Sequence, residues 1–381
     1  MKKILLIHNK YKNLGGEDVS VQNEIEFLRK NYILETLILT NEGNNLLIDL
    51  FILIFKNNPF FNLKLKRVIA SFNPDIIYFH NTWYKISLGS FRIAKKSKIK
   101  TIIKLHNFRY SCTRHFSIVK HLENKNFCYA CGLNKESSEF FNRYFNNSIL
   151  KSIAVISFGK KYFKILKNDF YKILVLTEFH KNYLIKLGFD KNRITVFPNY
   201  MNVENHTNSL SKKSSNYFVY AGRVSQEKGV EELINSFNNL DINNYKLKII
   251  GKGPEYEYLI KKYKSSKVLF LGEIPNTEVL KIIANSKCVI STTKLYEGQP
   301  TLLCEASSLG IPSVFPNTGG IKEFFPENYY LSFNQFDYKN LEEKLNFIIN
   351  KAQEADIGNI NKKYLFKYLN PNRLKNVFDN I

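Results

Sequence analysis

The chain has 381 residues, of which 44% are hydrophobic, including 31 Phe and 23 Tyr. That length exceeds one ordinary core, and the apolar content is ample for two domains. The formal charge of +23 is uneven: residues 1–200 carry 33 Lys/Arg against 14 Asp/Glu, and the remainder 23 against 19. A basic half suits an anionic partner such as anionic lipid, lipid-linked phosphate or nucleic acid, or is simply a solvated basic surface. The opening apolar run, Ile4 to Ile7, is too short for a signal h-region, and Leu46 to Phe55 contains Asp49 and is about half a bilayer span. Neither a transmembrane helix nor an export signal is expected. The expected location is cytoplasmic, with a peripheral position on the inner face of the cytoplasmic membrane left open.

The predicted strands of the first half are Ile4–His8, Leu34–Leu39, Ile76–His80, Thr101–His106, Ile173–Thr177 and Ile194–Phe197. Each is a short continuous apolar run, as suits parallel strands covered on both faces. Gly15-Gly16-Glu17-Asp18 separates the first strand from the helix Val19–Leu28. The glycines allow close backbone approach to a ligand, or simply a turn, and the two acids suit a helix start. His80-Asn81 and His106-Asn107-Phe108-Arg109 follow two strands. His106 could bond a sugar hydroxyl and Arg109 a phosphate, although a histidine at a strand end is often a structural hydrogen bonder. Cys112, Cys128 and Cys131 form a C-x15-C-x2-C cluster with His115 and His121 nearby, a spacing compatible with structural zinc or with reduced thiols.

Val203–Asn216 is polar, rich in Ser and Asn, and reads as a linker. Beyond it the predicted strands are Tyr217–Ala221, Lys246–Ile250, Val268–Leu271, Cys288–Thr292 and Ser313–Phe315. The first runs into Gly222-Arg223, with Lys228-Gly229 at the next helix start. A guanidinium fork and a point charge there match a pyrophosphate, and match equally an ordinary basic strand-to-helix turn at the surface. The strand at Cys288 runs into Glu297-Gly298-Gln299-Pro300-Thr301, with Glu305 further on. Pro300 suits the first turn of a helix, whose free N–H groups and positive dipole end suit a diphosphate. Taken alone, the two glutamates fit solvated acids flanking a core helix better than a ligand site. The chain contains no Asp-x-Asp pair, and Gly251-Lys-Gly253 lacks the third glycine of a dinucleotide fingerprint. The final stretch, Lys362–Ile381, has helical apolar spacing broken by Pro371.

Several segments occur together in order: Gly222-Arg223…Lys228-Gly229, Leu247 to Gly253, Phe270-Leu-Gly272, Glu297-x7-Glu305-Ala306 and Pro316 to Glu323. In that combination the chain resembles the family 4 retaining glycosyltransferases. The first half is similar more loosely, through Gly15-Gly16-Glu17, Pro74-Asp75…His80 and Pro198-Asn199, and the HNFRYSC stretch with its downstream CxxC resembles capsule and O-antigen transferases.

The resemblance implies an α/β, GT-B architecture: two Rossmann-like doubly wound parallel-sheet domains with an interdomain cleft. It implies an acceptor-binding domain at 1–202, a nucleotide-sugar-binding domain at 203–360 and a helix at 361–381 crossing back to the first. It implies that Arg223 and Lys228 hold the diphosphate, Glu297 the donor sugar and Glu305 the ribose hydroxyls. Gly298, Gln299, Pro300 and Thr301, with Gly222, would line the donor. Ile274 would lie near the base, Gly16 would approach from the first domain, and His106 would lie near the transferred sugar. Gln299-Pro300 departs from the common pattern of the family.

The implied reaction is metal-independent, retaining transfer of a hexose or N-acetylhexosamine from a nucleotide-sugar, commonly a UDP-sugar. No cofactor is required. The implied acceptor is a saccharide linked to polyprenyl diphosphate, in the synthesis of capsule, O-antigen or lipopolysaccharide. Phe51 to Phe55, Phe60-Phe61 and Lys64-Leu-Lys-Arg67 mix apolar and cationic residues as interfacial segments do, so an anionic membrane surface is an expected partner, with a buried helix carrying a basic flank the equal alternative. A nucleotide-sugar 2-epimerase is the nearest alternative. Nucleic acid is not an expected partner, because no zinc-finger, RNP-like or helix-turn-helix pattern is present.

Overall fold

The computed structural model describes residues 1–10, 16–40, 46–83, 85–108, 127–129, 149–201, 215–242, 244–264, 267–350 and 354–381. The chain forms two compact units, Met1–Met201 with Pro371–Ile381, and Asn202–Asn370. Most of the expected linker at 203–216 lies outside the described residues.

The first unit runs β1 (Lys3–Lys10), α1 (Gly16–Asn31), β2 (Ile33–Thr40), α2 (Leu46–Phe55), α3 (Pro59–Phe72), β3 (Ile76–Phe79), α4 (Gly89–Lys96), β4 (Lys100–Leu105), α5 (Ile149–Asp169), β5 (Lys172–Val175), α6 (Glu178–Lys186) and β6 (Ile194–Val196). Its six strands are parallel in the order β2-β1-β3-β4-β5-β6. Successive side chains of a strand point to opposite faces, and both faces are covered here. Leu5, Ile7, Ile77, Phe79, Ile103 and Val175 pack with residues of α3, α4 and α5. Ile4, Leu6, Tyr78, Ile102 and Leu174 pack with Val21, Ile25 and Leu28 of α1. Local chemistry sets the helix starts: the Asn58 side chain accepts from Phe61 N with Pro59 in the first turn, and Thr177 caps α6 at His180 N.

The second unit runs β7 (Tyr217–Ala221), α7 (Val230–Asn238), β8 (Lys246–Ile250), α8 (Tyr256–Lys262), β9 (Val268–Gly272), α9 (Asn276–Ala284), β10 (Cys288–Ile290), α10 (Thr301–Ser308), β11 (Ser313–Pro316), β12 (Ser332–Phe333), α11 (Tyr338–Asn350) and α12 (Glu354–Tyr368). Its strands are parallel in the order β12-β11-β10-β7-β8-β9. β12 has two residues, too few to show any periodicity, and is the strand that the sequence does not announce.

The break at Pro371 separates α12 from α13 (Pro371–Asp379). The segment that joins the first unit is Pro371–Ile381, not the whole of 361–381, since α12 stays with the second unit. Leu374, Phe378 and Ile381 enter the core on the α1 side of the first sheet. Phe378 lies against Tyr32, Tyr78 and Phe197, at ring separations of 5.4, 5.7 and 5.6 Å. The Tyr32 hydroxyl donates to Asp379 Oδ1 at 2.6 Å, and Lys2 Nζ to the Asp379 carbonyl at 2.9 Å.

One ion pair is fully buried between α1 and the first sheet. Lys104 Nζ on β4 lies 2.6 Å from Glu24 Oε2, and both side chains are 0% exposed. Tyr78 donates its hydroxyl to the other Glu24 oxygen, Lys104 also donates to the Pro198 carbonyl at 3.3 Å, and its ammonium sits 4.6 Å from the Phe197 ring centre. Burial pushes the Lys104 pKa down, against the opposing pull of Glu24. Removing one partner strands the other charge in a dry interior. Lys104→Met is therefore expected to lower stability by about 3–5 kcal/mol, and the double variant with Glu24→Gln to recover much of that loss. Urea denaturation of the three proteins checks this.

Candidate active site

Strand order reverses between β7 and β10 in the second sheet, and between β1 and β3 in the first. In open parallel sheets, ligands bind beyond the carboxyl ends of the strands at such switch points. The candidate residues of each unit fall at these places.

In the second unit three loops meet at the switch point. The loop after β7 is anchored by Gly222 N to the Ile250 carbonyl at 2.9 Å, and by the Tyr220 hydroxyl to the Arg223 carbonyl at 2.8 Å. The Arg223 side chain is exposed and makes no hydrogen bond or ion pair among the described residues. The same loop closes against the one after β10: Thr292 Oγ1 donates to the Gly229 carbonyl at 2.8 Å, and Lys294 N to the Glu227 carbonyl at 2.9 Å. Gly229 has φ +67°, and a Cβ there would lie 2.3 Å from the Thr292 carbonyl oxygen, so both its backbone and its contact require glycine. The loop after β11 grips Glu297 from the other side. Gly320 N donates to the Glu297 carbonyl at 2.8 Å, and a Cβ on Gly319 would lie 2.5 Å from that oxygen.

Lys228 and Glu297 form an ion pair across the first two loops, Lys228 Nζ donating to Glu297 Oε1. Thr293 Oγ1 donates to the same oxygen at 3.1 Å. Both charged side chains keep part of their surface in solvent, 31% for Lys228 and 25% for Glu297. Beside them, Gly298 and Gln299 are buried and lead into α10. Pro300 occupies the cap position itself, one residue earlier than the sequence suggests, with φ −81° and ψ 91°, and Thr301 opens the helix. No side chain caps this helix end. The cap residue thus does not occupy the first N–H groups of α10, and the positive end of the dipole suits an anion. The arrangement offers one cation, one carboxylate and an uncapped helix start within a single loop cluster.

Glu305, in the second turn of α10, is largely enclosed. Burial raises its carboxyl to about 7, and a hydrogen bond from Asn276, at the start of α9, opposes part of that rise. Ile274, two residues before Asn276, is half-buried between β9 and α9. The Asn276–Glu305 hydrogen bond thus ties α10 to the start of α9.

In the first unit, His106 directly follows β4, and its Nε2 lies 2.9 Å from His80 Nδ1. Burial, then Lys104, His8 and His180, push the pKa of His106 well down. Gly16 begins α1, where Ser20 Oγ donates to its carbonyl at 2.7 Å. Asp18 is more than a helix-start acid: it is buried and lies 2.9 Å from His8 Nε2. Asn107 Nδ2 donates to Glu17 at 3.4 Å. The sequence reading did not single out His8, Glu24 or Lys104. The available signals were a lysine inside an apolar strand and a glutamate on the apolar face of a helix.

Gly15, Arg109, Cys112, His115, His121 and Cys131 lie outside the described residues, and Cys128 is buried. Among the described residues no three His, Cys, Asp or Glu side chains converge to hold a metal ion.

Two doubly wound, all-parallel sheets with this loop chemistry define a GT-B fold. Residues 202–364 match the family described as Glycosyl transferases group 1, and residues 50–205 match Glycosyltransferase Family 4. The chain belongs to this group of glycosyltransferases.

Among curated relatives it is 29% identical over 180 residues to the amylovoran biosynthesis glycosyltransferase AmsD of Erwinia amylovora, covering 45% of this chain and 49% of AmsD. It is 25% identical over 244 residues to the capsular polysaccharide biosynthesis glycosyltransferase CapM of Staphylococcus aureus, covering 61% of this chain and 63% of CapM. The matches thus span about half to under two thirds of these relatives. Among solved structures, Anabaena HepE in complex with UDP and glucose superposes with a TM-score of 0.68 at 14% identity, covering 100% of this chain and 99% of HepE. The lipopolysaccharide outer core galactosyltransferase WaaB gives 0.63 at 15% identity, covering 100% of both chains. At these identities the superpositions establish the fold.

The raised Glu305 carboxyl has a consequence for stability. Its folded value near 7 exceeds the ordinary 4.5, so the folded protein holds this proton more tightly. Its contribution is fully present below about pH 4.5 and is lost as pH rises through about 7. Relative to wild type, Glu305→Gln is expected to gain about 1–3 kcal/mol between pH 5 and pH 8. Denaturation midpoints of both proteins at the two pH values measure this difference.

Proposed function

We propose that this chain is a retaining glycosyltransferase that moves a hexose or N-acetylhexosamine from a UDP-sugar to a lipid-linked saccharide during surface polysaccharide synthesis. The observation that carries this reading is the pairing of Lys228 with Glu297 beside the uncapped start of α10. A cation and a bare helix N-terminus fit a diphosphate, and a carboxylate next to them fits sugar hydroxyls. The named roles of AmsD and CapM, and the UDP and glucose bound to HepE, support the class of reaction.

In this mechanism Arg223, Lys228 and the α10 N–H groups hold the diphosphate and stabilise the charge that develops as it leaves. Glu305 accepts the ribose hydroxyls, and Ile274 lies at the base. Glu297 leaves Lys228 for the sugar hydroxyls as the diphosphate arrives. A leaving diphosphate oxygen takes the proton of the acceptor hydroxyl on the same face of the sugar. No metal is needed, because the fixed cations and the helix end supply the positive charge. His106 and Gly16, in the first unit, serve the transferred sugar and its acceptor.

The acceptor is proposed to be polyprenyl-diphosphate-linked and reached at an anionic membrane surface. Phe51, Ile54, Phe55, Phe60 and Leu63 of α2 and α3 are exposed, Phe60 by 73%, and Lys64, Lys66 and Arg67 are exposed beside them. Phe61, expected in the same patch, is instead buried at 4% in the core. No helix among the described residues is long and apolar enough to cross a membrane.

Screening UDP- and GDP-sugars for thermal stabilisation, then following transfer to a lipid-linked acceptor, tests the reaction. Arg223→Ala and Lys228→Ala are each expected to lower kcat/KM by about 10²–10³ with folding intact, and near-normal turnover in either rejects its role. On vesicles, sedimentation with anionic lipid should exceed that with neutral lipid and fall in a Phe55→Ser, Phe60→Ser variant. Equal and negligible binding to both rejects docking.

A further inference from the structure

Three neighbouring strands of the first sheet carry histidine at or just past their carboxyl ends: His8 in β1, His80 after β3 and His106 after β4. His80 is 1% exposed and His8 0%. His80 Nδ1 lies 2.9 Å from His106 Nε2. Their ring centres are 5.3 Å apart and their planes within 27°. That is the geometry of two imidazoles joined edge to edge by one N–H···N hydrogen bond, so one ring donates and the other accepts.

Glu24 decides which. Its Oε1 lies 4.0 Å from His80 Nε2, with both side chains 0% exposed. Lys104 Nζ donates to the other Glu24 oxygen at 2.6 Å, and the Tyr78 hydroxyl donates to Oε1, so both oxygens of Glu24 act as acceptors. An N–H dipole facing that carboxylate is attracted, whereas a bare lone pair would be repelled. His80 therefore carries its hydrogen on Nε2, its Nδ1 accepts, and His106 must donate from Nε2. A neutral imidazole has a single N–H, so His106 Nδ1 is left as a lone pair. That atom, like His80 Nε2, is buried and has no hydrogen-bond partner among the described residues, but only His80 Nε2 has a carboxylate facing it. Burial and the nearby Lys104 hold both rings well below their usual titration range, which keeps them neutral.

We propose that Glu24 and His80 are positioning residues that fix His106 as its Nε2–H tautomer, so that His106 Nδ1 accepts a hydrogen bond from a ligand hydroxyl. The hydroxyl belongs to the transferred sugar or to the acceptor; the diphosphate is excluded, because its oxygens carry lone pairs and would face another. The identity of that hydroxyl rests on the glycosyl-transfer reading, but the tautomer does not.

Nitrogen-15 NMR of the full chain labelled at histidine, with His106→Asn to assign the signals, reads the tautomer directly. The expected spectrum has a pyridine-like Nδ1 and a pyrrole-like Nε2 for His106. A pyrrole-like Nδ1 overturns the proposal whatever the activity. His80→Phe keeps an aromatic ring but removes the acceptor. It should convert His106 to a tautomer mixture and lower kcat about tenfold, with KM for the nucleotide-sugar changing less than about twofold. An unchanged spectrum, or unchanged kcat with a changed spectrum, overturns the positioning role. Deoxy analogues of the donor sugar and of the acceptor locate the hydroxyl. The analogue lacking it should lose rate in wild type and show no further loss in His106→Ala, and the absence of such a pair overturns the hydroxyl contact. Wild-type protein that consumes no nucleotide-sugar sinks the transferase reading instead, and the tautomer is still decided by the spectrum.

Discussion

Glu297 holds together the three loops that leave the carboxyl edge of the second sheet. Its carboxylate receives Lys228 from the loop after β7 and Thr293 from its own loop, while its carbonyl receives Gly320 N from the loop after β11. Gly229 and Gly319 let the flanking loops come close enough for this to happen. The helix start that follows is thereby fixed relative to the Lys228–Glu297 pair beside it. A looser loop would leave the same residue types present but unable to act on one ligand.

The two units treat charge in opposite ways. In the second, Lys228 and Glu297 remain partly hydrated, so each can exchange its partner at modest cost. In the first, Glu24 and Lys104 are sealed, with Tyr78, Pro198 and Phe197 completing their surroundings. Breaking that pair is expensive, which suits a fixed reference charge better than a ligand contact. His80, just past the end of β3, lies beside this sealed pair, its Nε2 4.0 Å from Glu24 Oε1.

Much of the fold was legible because parallel strands covered on both faces must be apolar along their whole length. Eleven predicted runs correspond to strands, and the helix stretches between them follow. The donor loops were legible for a different reason: glycine, proline and charge cluster where strands give way to helices. The pairing within them was not, because Lys228 and Glu297 are 69 positions apart and only the sheet order brings them together. Asn276 against Glu305, and Glu24 against Lys104, were hidden in the same way. Lys104 passed as part of an apolar run, and Glu24 as an ordinary helix acid, since a buried charge is recognisable only with its partner in view.

The placement of α13 has a bearing on how the protein is made. The first unit is discontinuous: its β1–β6 sheet is synthesised first, but Leu374 and Phe378, which cover Tyr32, Tyr78 and Phe197, are synthesised only after the whole of Asn202–Asn370. The second unit is contiguous and can close as soon as it leaves the ribosome. The first, although begun earlier, is finished last and meanwhile leaves an aromatic face open to misassociation. Dividing the chain at residue 201 would make that interim state permanent, so separate production of the first unit calls for residues 371–381 to be joined to it.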